Sequence, residues 1–270
     1  MINYKIGFIG VGAMGGAIVD SILNSKQIDK SKLFLSNIDD KALLKYKNNG
    51  IFTTCENKKV VEISDIVFLA VKPQQANDVL LDISSNLSKD TLLISIIAGK
   101  SISFFKKNTN ENQPIVRIMP NLCAKVCESY SVWVASKEVS PSQKNTIKEI
   151  ISSFGKEKEF FSEDKIDIST AIAGSGPAYI FYIAEIMEKV AIENGFSIEE
   201  AKEIVEQTIY GAICTMKNEK HKTKEDLRKD VTSKGGTTEQ AMSVLFRENF
   251  ADIFSRAINS AYKRAKELQS

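Results

Sequence analysis

Two stretches carry the residue types from which chemistry could be built. Gly10-Val11-Gly12-Ala13-Met14-Gly15 has G-x-G-x-x-G spacing, and Thr232-Ser233-Lys234-Gly235-Gly236-Thr237-Thr238 sets hydroxyls around a glycine pair. The first can cradle a pyrophosphate. Gly10 permits a tight turn, Gly12 lets backbone approach the phosphates, and Gly15 lets helix pack on strand. The N–H groups and dipole of the following helix then stabilise the negative charge. A plain strand–helix turn has the same spacing, but here the glycines follow a strand pattern and open a helical one, which makes the dinucleotide reading specific. In the second stretch, glycines and hydroxyls before a helix expose N–H groups able to hold a carboxylate. Ala173-Gly174-Ser175-Gly176-Pro177-Ala178 is similar, yet ordinary N-capping accounts for such a turn. Two glycines followed by two threonines exceed a cap, so 232–238 is expected to bind a small carboxylate substrate.

Which dinucleotide fits depends on the end of the second strand, where NAD enzymes carry an acid for the ribose hydroxyls. This chain has Leu35-Ser36-Asn37 there, and Asp39 and Asp40 start the next helix. Ser36 and Asn37 can donate to a 2′-phosphate without repelling it. NADPH is therefore the expected cofactor, with NADH as the alternative, although no Arg stands beside the pair.

The chain has one histidine, His221, within the charged stretch Asn218–Lys224. Histidine is the usual acid–base residue near neutrality and the commonest metal ligand. A histidine hydrolase or zinc enzyme is thus disfavoured and no metal is expected. Chemistry must come from a cofactor, hydroxyls, backbone or the substrate. Cys55, Cys123, Cys127 and Cys214 lack C-x-x-C spacing, which points to free thiols in a reducing compartment. A formal net charge of +2 gives no reason to expect nucleic acid. The apolar stretch 171–184 is broken by Gly174, Gly176 and Pro177 and is too short to span a bilayer. No signal peptide precedes the first strand pattern, so a cytoplasmic protein is expected.

Positioning these groups takes two kinds of scaffold. At 270 residues with 43% hydrophobic residues the chain has material for about two domains. Tyr4–Ile9, Lys32–Ser36, Ile66–Val71, Leu92–Ile97, Ile115–Met119 and Val132–Ala135 read as strands. Helical patterns follow at Ala13–Leu23, Lys41–Asn49 and Pro141–Phe154. Continuous apolar runs such as Ile66–Val71 belong to strands buried on both faces. Strand–helix alternation predicts a Rossmann-type α/β domain over 1–163. Beyond it strands vanish, and 164–270 is expected to be all-helical. Pro177 opens one helix that Gly195 closes, and Ser197 with Glu200 forms a capping box for the next. The helix after Pro177 is apolar almost all round, so it must be covered on most sides. A homo-oligomer joined through the helical domain is the expected explanation.

Taken together, these motifs resemble pyrroline-5-carboxylate reductases over nearly the whole chain. The similarity runs through Ile6–Met14, Ala70–Gln74, Ser95–Gly99, Arg117–Asn121, Ala173–Tyr179, Gln207–Ala212 and Thr232–Thr238. The resemblance implies NAD(P)H-dependent reduction of the C=N of 1-pyrroline-5-carboxylate to L-proline. It implies that Gly10, Gly12, Ala13 and Met14 hold the pyrophosphate, with Ser36, Asn37 and Asn57 near the adenosine ribose. Ala70, Val71, Lys72, Pro73 and Ala98 would line the nicotinamide side. Ser233, Gly235, Gly236, Thr237 and Thr238 would bind the substrate, Thr238 as the catalytic hydroxyl beside the imine nitrogen. Similar enzymes form homodimers through the helical domain, often assembled into rings such as decamers. The chain departs from the family at Ala13, a common Asn, at Leu122-Cys123 for Thr-Pro, at Lys234 for Pro, and at Ile38 for Arg. The β-hydroxyacid dehydrogenases share the glycine opening, but they carry a catalytic Lys on the helix after their second glycine motif. Here no Lys follows Gly176 until Lys189.

Overall fold

The computed structural model describes residues 2–268. Strands β1 (Ile6–Ile9), β2 (Leu33–Ser36), β3 (Phe52–Thr54), β4 (Ile66–Leu69), β5 (Leu92–Ser95), β6 (Ile115–Met119), β7 (Ser129–Ala135) and β8 (Gly155–Glu159) form one eight-stranded sheet. Its order is β3-β2-β1-β4-β5-β6-β7-β8, and only the β6–β7 pair is antiparallel. Helices α1 (Ala13–Ser25), α2 (Leu44–Asn48), α3 (Asn57–Ile63), α4 (Ala76–Ile83), α5 (Ile102–Asn108) and α6 (Pro141–Ser152) connect the strands.

Every residue of β1, β4 and β5 is buried. Strand side chains alternate between faces, and two cores result. Phe8 and Phe68 stack at 4.5 Å in one core, with Leu33, Leu35 and Ile94. Ile9, Val67 and Leu69 enter the other, with Leu80 and Phe105. The doubly wound sheet expected from the apolar runs is present.

Two strands escape a reading by apolar periodicity. β3 is three residues at the sheet edge, and β8 is the sequence Gly-Lys-Glu-Lys-Glu. β8 is held by its parallel ladder to β7, Ser129 to Trp133 against Gly155 to Glu159. Its charged composition suits an edge. The helix expected to reach Phe154 therefore stops at Ser152.

After β8 the chain enters α7 (Asp164–Ser169), then a π-helical turn over Thr170–Gly174. Arg117 of β6, 2% exposed, fastens this region. Its guanidinium donates to Glu163 Oε1 at 2.9 Å and Asp167 Oδ1 at 3.2 Å, and the backbone N–H of Ile102 also donates to Glu163 at 3.1 Å. One buried cation thus ties β6, α5 and α7 together. Replacing it leaves the buried Asp167 carboxylate and the half-buried Glu163 without their cation. Arg117→Met is expected to cost about 3–5 kcal/mol of stability in urea denaturation, and a loss below about 1 kcal/mol would show that the cluster is not structural. Asn121 adds a second tie, its amide donating to the carbonyl of Ala173 at 2.9 Å. The stretch 173–178 is therefore part of a helical path and not an exposed loop.

The remaining helices are α8 (Gly176–Glu193), α9 (Ile198–Asn218), α10 (Lys224–Asp230), α11 (Thr237–Arg247) and α12 (Phe250–Glu267). Gly195 at φ +102 lies past the end of α8, where a left-handed cap was expected. Ser197 and Glu200 form the capping box of α9. Compactness divides the chain at Pro177: residues up to it, together with those from Ala261 onward, form one unit, and Ala178–Ser260 form the other. The boundary expected after 163 falls inside the first unit, because the Arg117 cluster and Asn121 bind 163–173 to the sheet. Within the first unit, a Cβ added at Gly99 would lie 2.4 Å from Leu268, so only glycine fits beneath that residue.

Candidate active site

β1 is flanked by β2 on one side and by β4 on the other, and the chain winds away from it in both directions. Such a switch point opens a crevice at the carboxyl ends of the strands, where open α/β sheets bind ligands. The glycine loop leaves β1 at this point. Gly10 has φ +94, and a Cβ there would meet the Ala70 carbonyl at 2.8 Å. A Cβ at Gly15 would lie 2.3 Å from the Gly10 carbonyl. Both glycines are required by the chain's own packing. Gly12 is not: its φ is −78 and a Cβ would have nothing within 4 Å. Gly12 is the N-cap of α1 and makes no side-chain cap, and no acid occupies the first turn. Gly12 and Ala13 are exposed, while Met14 is half-buried against the core. The result is an uncapped helix N-terminus with open space at its tip, which fits a pyrophosphate.

Around this loop the first unit gathers the other expected cofactor residues. Asn37 Oδ1 accepts from the N–H of Val11 at 3.0 Å, and its amide donates to the Asp39 carbonyl at 2.9 Å. Ser36 is fully buried and its hydroxyl donates to Asn57 Oδ1 at 2.9 Å. The donors expected to face a 2′-phosphate are thus engaged within the protein, and Asn37 acts as a strap between β2 and the glycine loop. Ile38 beyond them is 87% exposed. Ala70 follows β4, its N–H donating to the Ile9 carbonyl at 2.8 Å. Val71 and Lys72 lead into a 3-10 turn opened by Pro73, and the Lys72 N–H donates to Gln75. Ala98 follows β5 just before Gly99, which has φ +72. These groups share the carboxyl edge of β1, β4 and β5. Behind the loop, Tyr46 donates to the Gly16 carbonyl at 3.3 Å, and burial pushes its phenol up to about 12, so it stays a donor.

The expected substrate residues lie in the second unit, between α10 and α11. Gly235 has φ +74, and its N–H donates to Glu239 Oε2 at 2.7 Å. Gly236 is the N-cap of α11, and its N–H donates to the Ser233 carbonyl at 3.0 Å. A Cβ at Gly236 would lie 2.6 Å from Ser233 Oγ. The two glycines therefore shape the loop, and neither has a free N–H to offer. The N–H groups that helix geometry leaves without an intrahelical partner are those of Thr237, Thr238 and Glu239. No side chain caps this N-terminus either. Ser233 and Thr237 are exposed and Thr238 half-buried. Among the described residues no group of three or more His, Cys, Asp or Glu could hold a metal ion.

Family models divide the chain in two. One described as "NADP oxidoreductase coenzyme F420-dependent" matches residues 5–99, and one described as "Pyrroline-5-carboxylate reductase dimerisation" matches 163–268. The pyrroline-5-carboxylate reductase of Staphylococcus epidermidis is 32% identical over 98% of this chain and 97% of its own length. Pyrroline-5-carboxylate reductase 1 of Bacillus subtilis is also 32% identical, over 98% of this chain and 89% of its own. Among solved structures, the pyrroline carboxylate reductase of Plasmodium falciparum with NADP bound superposes with a TM-score of 0.92 at 32% identity, covering 100% of both chains. That of Coxiella burnetii gives 0.89 at 35%, again over 100% of both. A 3-hydroxyisobutyrate dehydrogenase of Mycobacterium tuberculosis, 12% identical with a TM-score of 0.51 over 76% of this chain, shares only the fold.

Proposed function

This chain belongs to the pyrroline-5-carboxylate reductase family, and we propose that it reduces the C=N bond of 1-pyrroline-5-carboxylate to give L-proline, with NADPH held at its glycine loop. NADH is the alternative for the same loop. The observation that carries this reading is Gly12. Gly10 and Gly15 must be glycine for the fold, but Gly12 faces open space at an uncapped helix N-terminus. A ligand explains its identity where packing does not.

When bound, the dinucleotide supplies the hydride. The protein's own part is to bind, orient and donate. Gly12, Ala13 and Met14 present N–H groups and the positive end of α1 to the phosphates. Ala70 to Pro73 and Ala98 border the reducing end of the site. The substrate carboxylate is held by Ser233 and by the first-turn N–H groups at Thr237 and Thr238. Gly235 and Gly236 fix the loop that presents them. The Thr238 hydroxyl stands beside the ring nitrogen. A protonated imine is already electrophilic, so a neutral hydroxyl that orients it suffices, and alignment alone contributes about 7–11 kcal/mol to such reactions. A single solvent-exposed histidine, His221, is consistent with this chemistry.

The assay is oxidation of NADPH on addition of pyrroline-5-carboxylate. Thr238→Ala is expected to lower kcat/KM on the order of 10–100-fold, the worth of one hydrogen bond to a charged group, with dinucleotide affinity unchanged, and Thr238→Ser to retain most activity. Wild-type kinetics in the alanine variant would remove Thr238 from the mechanism. The dimerisation model over 163–268 and the apolar helix α8 support a homodimer through the helical residues, with a ring such as a decamer as a further step. A cytoplasmic enzyme accords with the four free thiols. No described helix is long and apolar enough to cross a membrane.

A further inference from the structure

One cation next to the glycine loop has no carboxylate partner among the described residues. A hollow of about 400 Å³ opens beside the start of α1, bordered by Gly12, Ala13, Asp20, Lys45, Tyr46 and Lys125. Three of these residues are charged. Lys45 and Asp20 neutralise each other at 2.6 Å. Among the described residues no carboxylate pairs with Lys125. Its backbone is nevertheless fixed. Lys125 belongs to the 3-10 turn Leu122–Val126, whose Ala124 is fully buried and accepts the Ser21 hydroxyl of α1 at 2.7 Å. Cys127 closes the turn in the left-handed region at φ +58, donating its N–H to the Ala124 carbonyl at 3.1 Å. The structure thus anchors the backbone of Lys125 against α1, on the border of the hollow it shares with Gly12 and Ala13.

We propose that Lys125 is a further dinucleotide-binding residue, supplying the cation for the pyrophosphate at the mouth of the glycine loop. The proposal rests on the reading of that loop as a dinucleotide site. Pyrophosphate carries two negative charges, and the helix N-terminus offers only about half a positive one. Residues 36–38 offer no cation at the ribose end, where Ser36 and Asn37 are engaged and Ile38 is exposed and apolar. Positive charge is therefore placed at the part of the cofactor common to NADH and NADPH.

The test is titration of the full-length protein with NADPH and, separately, NADH, for wild type, Lys125→Gln and Lys125→Glu, at low and at high salt. Lys125 is exposed, so both variants should melt like the parent. Loss of the charge should weaken both coenzymes by the same factor, roughly fivefold for the glutamine variant, and reversal should weaken them several-fold more. Added salt should narrow the difference. Unchanged affinity, or a loss confined to NADPH, overturns the assignment. If wild type itself binds neither coenzyme, the dinucleotide reading falls and this one with it. Wild-type binding with an unaffected lysine variant removes this one alone.

Discussion

A Gly12→Asp chain will fold like its parent and bind no dinucleotide. The first half of that result follows from geometry. Gly12 has an ordinary φ and nothing within 4 Å of an added Cβ, so the first atom of a side chain there has open space. Aspartate is moreover a favoured N-cap and would satisfy N–H groups that α1 leaves open. The second half follows from charge. A carboxylate at the pyrophosphate position occupies the ligand's space and repels two negative charges. At contact distance each repulsion is worth about 4 kcal/mol near a protein surface, enough with the steric clash to remove detectable binding. Calorimetric titration with NADPH reads the loss, and thermal melting reads the intact fold. Gly10→Ala and Gly15→Ala should give the opposite pattern. There the added atom meets the Ala70 or Gly10 carbonyl at 2.8 or 2.3 Å, so stability falls first. Retained binding in Gly12→Asp would reduce the motif to a turn.

The second large effect concerns α8. None of its eighteen residues is buried, although most are apolar. Ile180, Phe181, Tyr182, Ile186 and Val190 are all exposed, and α9 and α11 add Ile204, Tyr210, Val244 and Phe246. An apolar surface on this scale marks an interface. Phe181, 59% exposed in the single chain, is the aromatic type that anchors such contacts. Phe181→Glu places a charge within an apolar surface that association would bury, a penalty of several kcal/mol. Sedimentation should show monomers where wild type gives dimers or larger assemblies, and turnover should disappear with them. Wild-type sedimentation by the variant would move the interface elsewhere.

The residues that were readable beforehand are those with one dominant physical reason. Ile66–Leu69 is buried on both faces, so its apolar run could only be a central strand. Ser197 and Glu200 close a capping box because both partners lie within four residues of each other. What escaped depends on partners far along the chain. β8 is a strand only because β7 lies beside it. Ser36 and Asn37 are polar at the right place, but their donors are taken by Asn57 and Asp39, which only the folded chain brings near. Likewise Gly235 and Gly236 read as anion donors until Glu239 and the Ser233 carbonyl are seen accepting from them. Lys125 had no signal, because nothing in its neighbourhood in the sequence relates it to Gly12. Arg117 holds residues forty-six and fifty positions away, and this is why compactness carries 163–177 into the first unit.

Because Leu268 rests on Gly99 and the described residues from Ala261 onward belong with the sheet, the first and the last described segments lie in the same body. A stop codon near residue 260 would injure the dinucleotide half while sparing every residue of 178–260. The helical unit is in effect a cassette spliced into the other, entered by α8 and left by α12. Exchange of that cassette between relatives, with both junctions kept, is the natural way to transplant its properties, whereas swapping everything after a single crossover would separate Gly99 from the segment that covers it.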